Sequence, residues 1–262
     1  ISNYSERYPR VSAIPLIHRL HDLPVIGDRL KKRIIHDKPS ALIPWPHEGD
    51  AIYHDYAGFG QTVDGIEREL TDEMQRRLKE KISGHLRLTG KPRFLSKQTA
   101  NNRRVGLLDK MFPDALYVHA IRDGRAVASS TLRVPWWNDT HIWWLGYKAS
   151  QWQEEGRPPI ELSARYWMRT VQEVRRHREL LGDRYMEIRY EDLARDTRGV
   201  IGEITRVCAL RQSAAFTKRI PSTLPGMNYK WKEQLTDTEK ATLQECIGEF
   251  LDELGYVEID EG

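Results

Sequence analysis

The sequence predicts an α/β fold built on a parallel sheet, and three observations support this class. The stretch from Ala115 to Ile121 is an apolar run rich in β-branched and aromatic residues, with no alternation that would leave one face wet. A turn, Arg122-Asp123-Gly124, follows at once, and the residues after it favour a helix. The chain has 262 residues, enough to bury one sizeable core. We therefore expect a single domain over residues 1–262.

The turn after this strand predicts an anion-binding site. Ligands of open α/β sheets bind beyond the carboxyl ends of the strands, which is where Arg122 is expected to lie. Asp123 is suited to cap the helix that follows. Ser130 comes eight residues after Arg122, and an arginine fork with a nearby hydroxyl is suited to phosphate. Arg122 and Ser130 are therefore the candidate anion ligands.

These residues carry a resemblance to a known family. Arg122, Asp123-Gly124-Arg125 and Ser130 resemble the 3′-phosphate-binding strand and helix of sulfotransferases that use 3′-phosphoadenosine-5′-phosphosulfate (PAPS), especially bacterial ones and the related tyrosylprotein sulfotransferases. Arg-Asp-Gly alone is also ordinary turn chemistry, but further family-like segments follow in the family's order over residues 91–256. The resemblance implies a three-layer, P-loop NTPase-like fold. It also implies transfer of a sulfuryl group from PAPS to a hydroxyl or amine acceptor, with no metal ion.

The strand-like stretch 185–190 ends in a second family-like motif, which begins at Tyr190 and reads YEDL. It resembles the strand-end tyrosine that contacts the nucleotide in the family, and a tyrosine offers both a hydroxyl and a ring for this purpose. Glu191 is expected to cap or pair locally. Arg133, near the end of the helix that carries Ser130, is expected to reach the 3′-phosphate.

A late loop over residues 221–234 is rich in turn formers and contains Tyr229 and Lys230. It resembles the family's loop that closes over the nucleotide, in which Lys230 would add to the 3′-phosphate site and Tyr229 occupies a hydroxyl position. The alternative is a solvated loop held by one buried residue, Trp231.

Lys97 is the candidate for stabilising the transition state. Residues 91–97 are expected to form a short strand, and residues 101–111 a helix, so that a right-handed crossover would bring Lys97 and Arg122 to one edge of the sheet. Lys97 resembles the lysine that stabilises the transferring sulfuryl group in tyrosylprotein sulfotransferases. The alternative is a surface lysine at a strand end.

The general base is not assigned by the sequence. His141 is a candidate, together with His47 and His54, because sulfotransferases commonly use a histidine or a glutamate. His141 lies within a run of four tryptophans, at positions 136, 137, 143 and 144. These rings are expected either to pack over the domain or to form the acceptor pocket.

The family's Gly-rich loop for the 5′-phosphosulfate has no counterpart in the sequence. We expect this loop, with the first strand, to lie upstream of Ile1. The alternative is that the protein has lost it and is a non-catalytic, sulfotransferase-like nucleotide-binding or scaffold protein. A P-loop nucleotide kinase is disfavoured, because the sequence lacks both GxxxxGK[ST] and an acidic metal-binding strand end.

Composition limits the remaining functions. The net charge is +3, from 41 basic and 38 acidic residues that are interspersed, which argues against a nucleic-acid binder. No apolar run reaches the length needed to cross a bilayer. Cys208 and Cys246 are expected to be thiols in a reducing compartment, the cytoplasm. The acceptor is not identified by the sequence, and a homo-oligomer stays open.

Overall fold

The structure is a computed structural model that describes Tyr53, residues 70–226 and residues 228–256. The chain divides into two compact units, Ile1–Met111 and Phe112–Gly262. His47 and His54, two of the candidate general bases, lie outside the described residues.

The first unit contains two described α-helices, α1 (Asp72–Thr89) and α2 (Val105–Met111), and a 3-10 helix over Thr99–Arg103. The Thr71 hydroxyl accepts the Met74 N–H at the start of α1, and Gly90 ends the helix with a φ of 67°. Leu78 and Ile82 are buried on the inner side of α1. α1 is therefore an amphipathic helix.

The strand predicted over residues 91–97 is wrong. Residues 93–98 have no regular secondary structure, and no strand of the described residues pairs with them. Their polar side chains make local bonds instead: the Tyr53 and Ser96 hydroxyls lie 2.6 Å apart, and Arg104 donates to Gln98 over 2.9 Å. Leu95 is 89 % exposed. A short segment opened by Pro92 stays extended without becoming a strand when it lacks a ladder partner, so the crossover argument for Lys97 does not hold.

The second unit contains four described strands and nine described α-helices. Its described elements are β1 (Tyr117–Ile121), α3 (Gly124–Thr131), β2 (His141–Ile142), β3 (Tyr147–Lys148), α4 (Ala149–Glu154), α5 (Pro159–Arg175), α6 (Arg178–Leu181), β4 (Tyr185–Arg189), α7 (Tyr190–Arg195), α8 (Thr197–Val207), α9 (Ala214–Arg219), α10 (Lys230–Gln234) and α11 (Asp237–Glu253), with 3-10 turns at Trp137–Asp139 and Gly182–Arg184.

The central strand is confirmed, and it pairs in parallel with β4. The register places His119 opposite Glu187 and Ile121 opposite Arg189. β1 is buried on one face only. Side chains alternate between the two faces of a strand, and His119 and Ile121 lie on the buried face. Val118, on the other face, is 38 % exposed, so the expectation of burial on both faces was wrong.

Three helices build the core of this unit. α3, α5 and α11 pack together through buried apolar side chains that include Ala128, Trp167 and Ile247. A turn at residues 176 and 177 separates α5 from α6. α11 begins with a capping box between Thr236 and Glu239 and is followed by Gly255 with a φ of 74°.

The tryptophan-rich stretch forms a small antiparallel hairpin, with β2 paired to β3. Trp137 and Trp152 are buried in a second core cluster with Ile142. Tyr166 of α5 packs edge-on against Trp137, with the ring centroids 5.4 Å apart. Trp137 therefore packs in the core, whereas Trp136 is 60 % exposed, and an acceptor pocket formed by the other rings stays a prediction.

No helix of the described ranges combines the length and apolarity that a membrane span requires.

Candidate functional site

The carboxyl ends of β1 and β4 bring an arginine and a tyrosine together. Arg122 follows β1 and Tyr190 follows β4, one residue beyond the paired Ile121 and Arg189. The Arg122 guanidinium carbon lies 4.7 Å from the centroid of the Tyr190 ring, within cation–π distance. Both side chains are half-buried. The parallel register therefore joins two of the residues that the sequence singled out separately.

The turn after Arg122 is fixed by Asp123. Its side chain accepts the Arg125 N–H over 2.9 Å as the cap of α3, which confirms the predicted cap. It also forms a buried ion pair with the Arg125 guanidinium at 2.9 Å. Gly124 allows the closest approach: a Cβ there would lie 2.7 Å from Cη2 of Trp167 and closer still to other atoms of that ring. The glycine therefore lets α3 start directly against α5.

Glu191 joins four separate segments at this point. Its Oε1 accepts the backbone N–H of Asp123 over 3.0 Å, and its Oε2 accepts the hydroxyl of Tyr256 over 2.9 Å. The Asn228 Nδ2 also donates to Oε1. Burial raises the pKa of Tyr256, and the neighbouring Glu191 carboxylate adds to that rise. Glu191 therefore links the β1 turn, the late loop and the C-terminal turn to the start of α7.

The two adjacent serines of α3 lie in different environments. Ser129 is 1 % exposed, whereas Ser130 is exposed. The Arg133 Nη1 donates to the Ser129 Oγ over 2.7 Å and also to the Ser129 carbonyl oxygen. The Ser129 hydroxyl in turn lies 3.4 Å from the Gln234 Oε1 of α10. Arg133 therefore lies in the turn after α3, two residues beyond Thr131, with Ser129 as its anchor, so the expectation that it lies within this helix is wrong.

The late loop expected over residues 221–234 ends earlier than predicted, because Lys230–Gln234 form the helix α10. Trp231 is buried, and the Arg125 guanidinium carbon lies 4.8 Å from its ring centroid. Tyr229 is 55 % exposed and Lys230 is also exposed. A buried anchor beside exposed polar residues is compatible both with a loop that closes over a ligand and with a solvated loop held by Trp231, so both alternatives stay open.

The order of these elements and motifs agrees with that of one known protein family. A sequence model of the sulfotransferase family matches residues 60–213, which is more than half of the chain. The chain belongs to the sulfotransferase family. The matched range contains the Arg122 turn, Ser130 and the Tyr190 motif.

Two curated relatives are similar to this sulfotransferase chain. They are the omega-hydroxy-beta-dihydromenaquinone-9 sulfotransferases Stf3 of Mycobacterium bovis and Mycobacterium tuberculosis, each 26 % identical over 166 residues, or 61 % of this chain. The alignment spans 40 % of the length of these relatives.

The crystal structure of the sulfotransferase STF9 from Mycobacterium avium is similar in fold. The TM-score is 0.54 at 17 % sequence identity, over 92 % of this chain and 66 % of the other. This likeness shows the P-loop-like α/β sulfotransferase fold that the sequence predicted.

The two candidate catalytic residues, Lys97 and His141, are not adjacent in sequence to the ends of β1 and β4. Lys97 is an exposed residue of the first unit. His141 is exposed at the start of β2, in the hairpin. Neither has a described contact with Arg122, so their roles stay predictions. The described residues contain no cluster of three or more His, Cys, Asp or Glu side chains with the geometry of a metal site.

Three residues of the site were not singled out by the sequence. Asn228 and Tyr256 lie in segments with no periodic pattern or motif, so neither gave a local signal. Ser129 is adjacent to Ser130, and only the rotation of α3 separates the buried hydroxyl from the exposed one. For Glu191 the signal was its position inside the YEDL motif.

Proposed function

We propose that this protein transfers a sulfuryl group from PAPS to a hydroxyl or amine acceptor and releases adenosine 3′,5′-bisphosphate. The observation that carries this proposal is the Arg122 guanidinium at the carboxyl end of β1, 4.7 Å over the Tyr190 ring and close in sequence to the exposed hydroxyl of Ser130. A charged fork, a hydroxyl and an aromatic ring match a ribose 3′-phosphate beside an adenine.

Each nucleotide contact has a proposed residue. Arg122, Ser130 and Arg133 hold the 3′-phosphate, and Tyr190 contacts the nucleotide through its ring or hydroxyl. Tyr229 and Lys230 close the site from the late loop, with Lys230 adding positive charge. The buried Trp231 supports this role, because it fixes one end of the loop and leaves the exposed pair to meet the ligand.

The chemical step is an in-line displacement at sulfur. The acceptor oxygen or nitrogen forms the new bond to sulfur, the bond between sulfur and the bridging oxygen of the 5′-phosphate breaks, and that oxygen keeps the electron pair. The acceptor proton passes to a general base, for which His141, His47 and His54 are the candidates. We assign Lys97 to the charge that develops on the leaving phosphate, because a fixed cation there contributes a few kcal/mol.

The acceptor class and the location are part of the proposal. The curated relatives are named for a hydroxylated menaquinone derivative, so lipid-like alcohols are the first acceptors to test. We propose a cytoplasmic location, because Cys208 and Cys246 are both free thiols and thiols persist in reducing compartments.

Calorimetric titration tests the nucleotide site. Wild-type protein is titrated with adenosine 3′,5′-bisphosphate and with adenosine 5′-monophosphate, beside Arg122→Ala. We expect tight binding that requires the 3′-phosphate, and a loss of about 100-fold in Arg122→Ala, since hydrogen bonds to a charged group are worth about 1.5–3 kcal/mol. Arg206→Ala is the matched control, because Arg206 is an exposed arginine that pairs with Glu203 on α8. Equal binding of both nucleotides to wild type would contradict the proposal.

Turnover separates the enzyme from a non-catalytic nucleotide-binding protein. Transfer from labelled PAPS to an acceptor alcohol is expected for wild type, with kcat lowered by about 100-fold in Lys97→Ala, equivalent to a few kcal/mol of transition-state stabilisation. Selective binding of adenosine 3′,5′-bisphosphate without transfer to any acceptor in the panel would favour the scaffold alternative.

A further inference from the structure

The orientation of Arg122 depends on a residue of the late loop. The Arg122 Nε donates to the Asn228 Oδ1 over 2.8 Å, although the two residues are separated by 106 positions. The Tyr190 ring lies under the same guanidinium. A hydrogen bond in the plane of the guanidinium and a ring stacked on its face together fix the orientation of the group.

Glu191 in turn fixes the orientation of Asn228. An ionised carboxylate only accepts hydrogen bonds, so it can bond only the NH2 side of the Asn228 amide. The Asn228 Nδ2 donates to the Glu191 Oε1. This leaves the amide oxygen directed at Arg122, which is the one orientation in which Asn228 can accept from a guanidinium.

The same carboxylate is itself held from two further sides. The Asp123 N–H and the Tyr256 hydroxyl both donate to it. The Tyr256 ring is covered by Arg189, with 4.1 Å between the guanidinium carbon and the ring centroid. Glu191 is therefore a fixed point to which the loop is attached, rather than a side chain that follows the loop.

We propose that Glu191 and Asn228 are positioning residues, which orient the Arg122 fork for a 3′-phosphate and tie its orientation to the attachment of the late loop. Tyr229 and Lys230 follow Asn228 directly in the chain. The bond that aims Arg122 therefore also places these two residues beside it, so that loop attachment and anion recognition form one unit. This inference rests on the proposed function for the identity of the ligand.

Nucleotide discrimination is the readout that a purely structural role would not change. We expect Glu191→Gln and Asn228→Ala each to weaken the binding of adenosine 3′,5′-bisphosphate by about 10-fold, equivalent to one charge-assisted hydrogen bond of about 1.4 kcal/mol. The affinity for adenosine 5′-monophosphate is expected to change by less than about 2-fold. The double variant is expected to lose no more affinity for adenosine 3′,5′-bisphosphate than the single variant with the larger loss, because both residues act through one chain of contacts. Equal losses for both nucleotides, or additive losses, would overturn the inference.

Glu187→Gln is the matched control, since it makes the same substitution four residues earlier on β4. Glu187 is bonded by Arg175 and Tyr185 and has no described contact with Arg122. We expect Glu187→Gln to lower stability and to leave the nucleotide discrimination unchanged. Asn228→Ala covers the case in which Glu191→Gln does not fold, because Asn228 lies on a half-buried loop position.

Hydrogen exchange of residues 221–234 separates this inference from the proposed function. We expect exchange of the loop amides to be several-fold faster in Glu191→Gln than in wild type or in Glu187→Gln, since the loop loses an anchor. If wild type binds both nucleotides equally, the proposed function fails, and the exchange rates decide alone whether Glu191 anchors the loop. If wild type discriminates while Glu191→Gln keeps both its discrimination and its slow exchange, the positioning roles are wrong.

Discussion

The middle and the carboxyl end of the β1–β4 pair contain similar kinds of residue and use them differently. In the middle, His119 lies opposite Glu187, and its Nδ1 is 2.7 Å from the hydroxyl of Tyr185. That hydroxyl donates to Glu187 over 2.8 Å, and Arg175 of α5 donates to both carboxylate oxygens of Glu187. Every partner in this network comes from a strand or a long helix.

At the carboxyl end, the partners come from turns and loops. Arg122 is bonded by Asn228 of the late loop, and Glu191 accepts from the Asp123 turn and from Tyr256 after α11. Arg, Tyr and Glu therefore occur in both places. The difference is that turns and loops complete the second network, and the binding sites of open α/β sheets are formed in the same way.

Electrostatics also distinguish the two regions. Burial lowers the pKa of His119 to about 4, against the opposing attraction of Glu187 at 3.8 Å. Burial raises the pKa of Tyr185, and its bond to Glu187 raises it further. Burial alone would also raise the pKa of Glu187, but hydrogen bonds from Arg175 and Tyr185 lower it overall. The strand middle is thus set in one protonation state near neutral pH, which is typical of a stabilising network rather than a site of proton transfer.

Gly124→Ala is expected to have the largest effect, because it disrupts the strand end and the core together. The new Cβ would lie 2.7 Å or less from the Trp167 ring, which is only 6 % exposed and part of the main core. We expect a loss of about 3 kcal/mol or more in the free energy of unfolding, measured by denaturant titration.

Gly202→Ala on α8 is the matched control in the same unit, since its nearest neighbour to a new Cβ is 3.9 Å away. It is expected to be stabilising by about 0.5–1 kcal/mol, because alanine loses less backbone entropy than glycine in a helix. A small effect of Gly124→Ala would mean that α3 can move away from α5 without cost.

The pH dependence of stability tests the middle of the strand pair. The folded pKa of His119, about 4, is below its ordinary value of 6.5, so the unfolded chain binds more protons between these values. This contribution to stability is complete above about pH 6.5 and is lost as the pH falls towards 4, by up to about 3 kcal/mol.

His119→Gln keeps a side chain that can bond Tyr185 but removes the titration. We expect a shallower decline in unfolding free energy between pH 6.5 and pH 4, measured by urea titration at each pH. Some slope is expected to persist, because burial also lowers the pKa of His85 to about 4. An unchanged slope would show that His119 is not the group whose protonation destabilises the fold.

The two serines of α3 give the smallest and sharpest distinction. Ser130→Ala is expected to weaken the binding of adenosine 3′,5′-bisphosphate by about 5-fold, with no change in stability, because a hydrogen bond from the exposed hydroxyl to the ligand contributes about 1 kcal/mol. Ser129→Ala is expected to lower the unfolding free energy by about 1 kcal/mol, since Arg133 and Gln234 lose a buried partner. The reverse assignment, found by calorimetry and thermal unfolding, would exchange the roles of the two hydroxyls.

Much of the fold could be read from local sequence signals. The strand ending at Ile121 and the Asp123 cap each depend on a few consecutive residues, and both are present. Prediction was wrong at residues 91–97, where an extended segment has no described strand partner. Strand formation depends on a neighbour distant in sequence, which a local pattern does not contain.

By itself the sequence determined the family, the central strand and turn, and Arg122, Ser130 and Tyr190 as candidate ligands, because each motif is continuous along the chain. The tertiary structure alone decided that Arg122 meets Tyr190, that Ser129 faces inward and Ser130 outward, and that Asn228 and Glu191 hold the arginine in place. These contacts join residues up to 106 positions apart. Only the parallel register of β1 with β4 and the return of the late loop bring them within hydrogen-bonding distance.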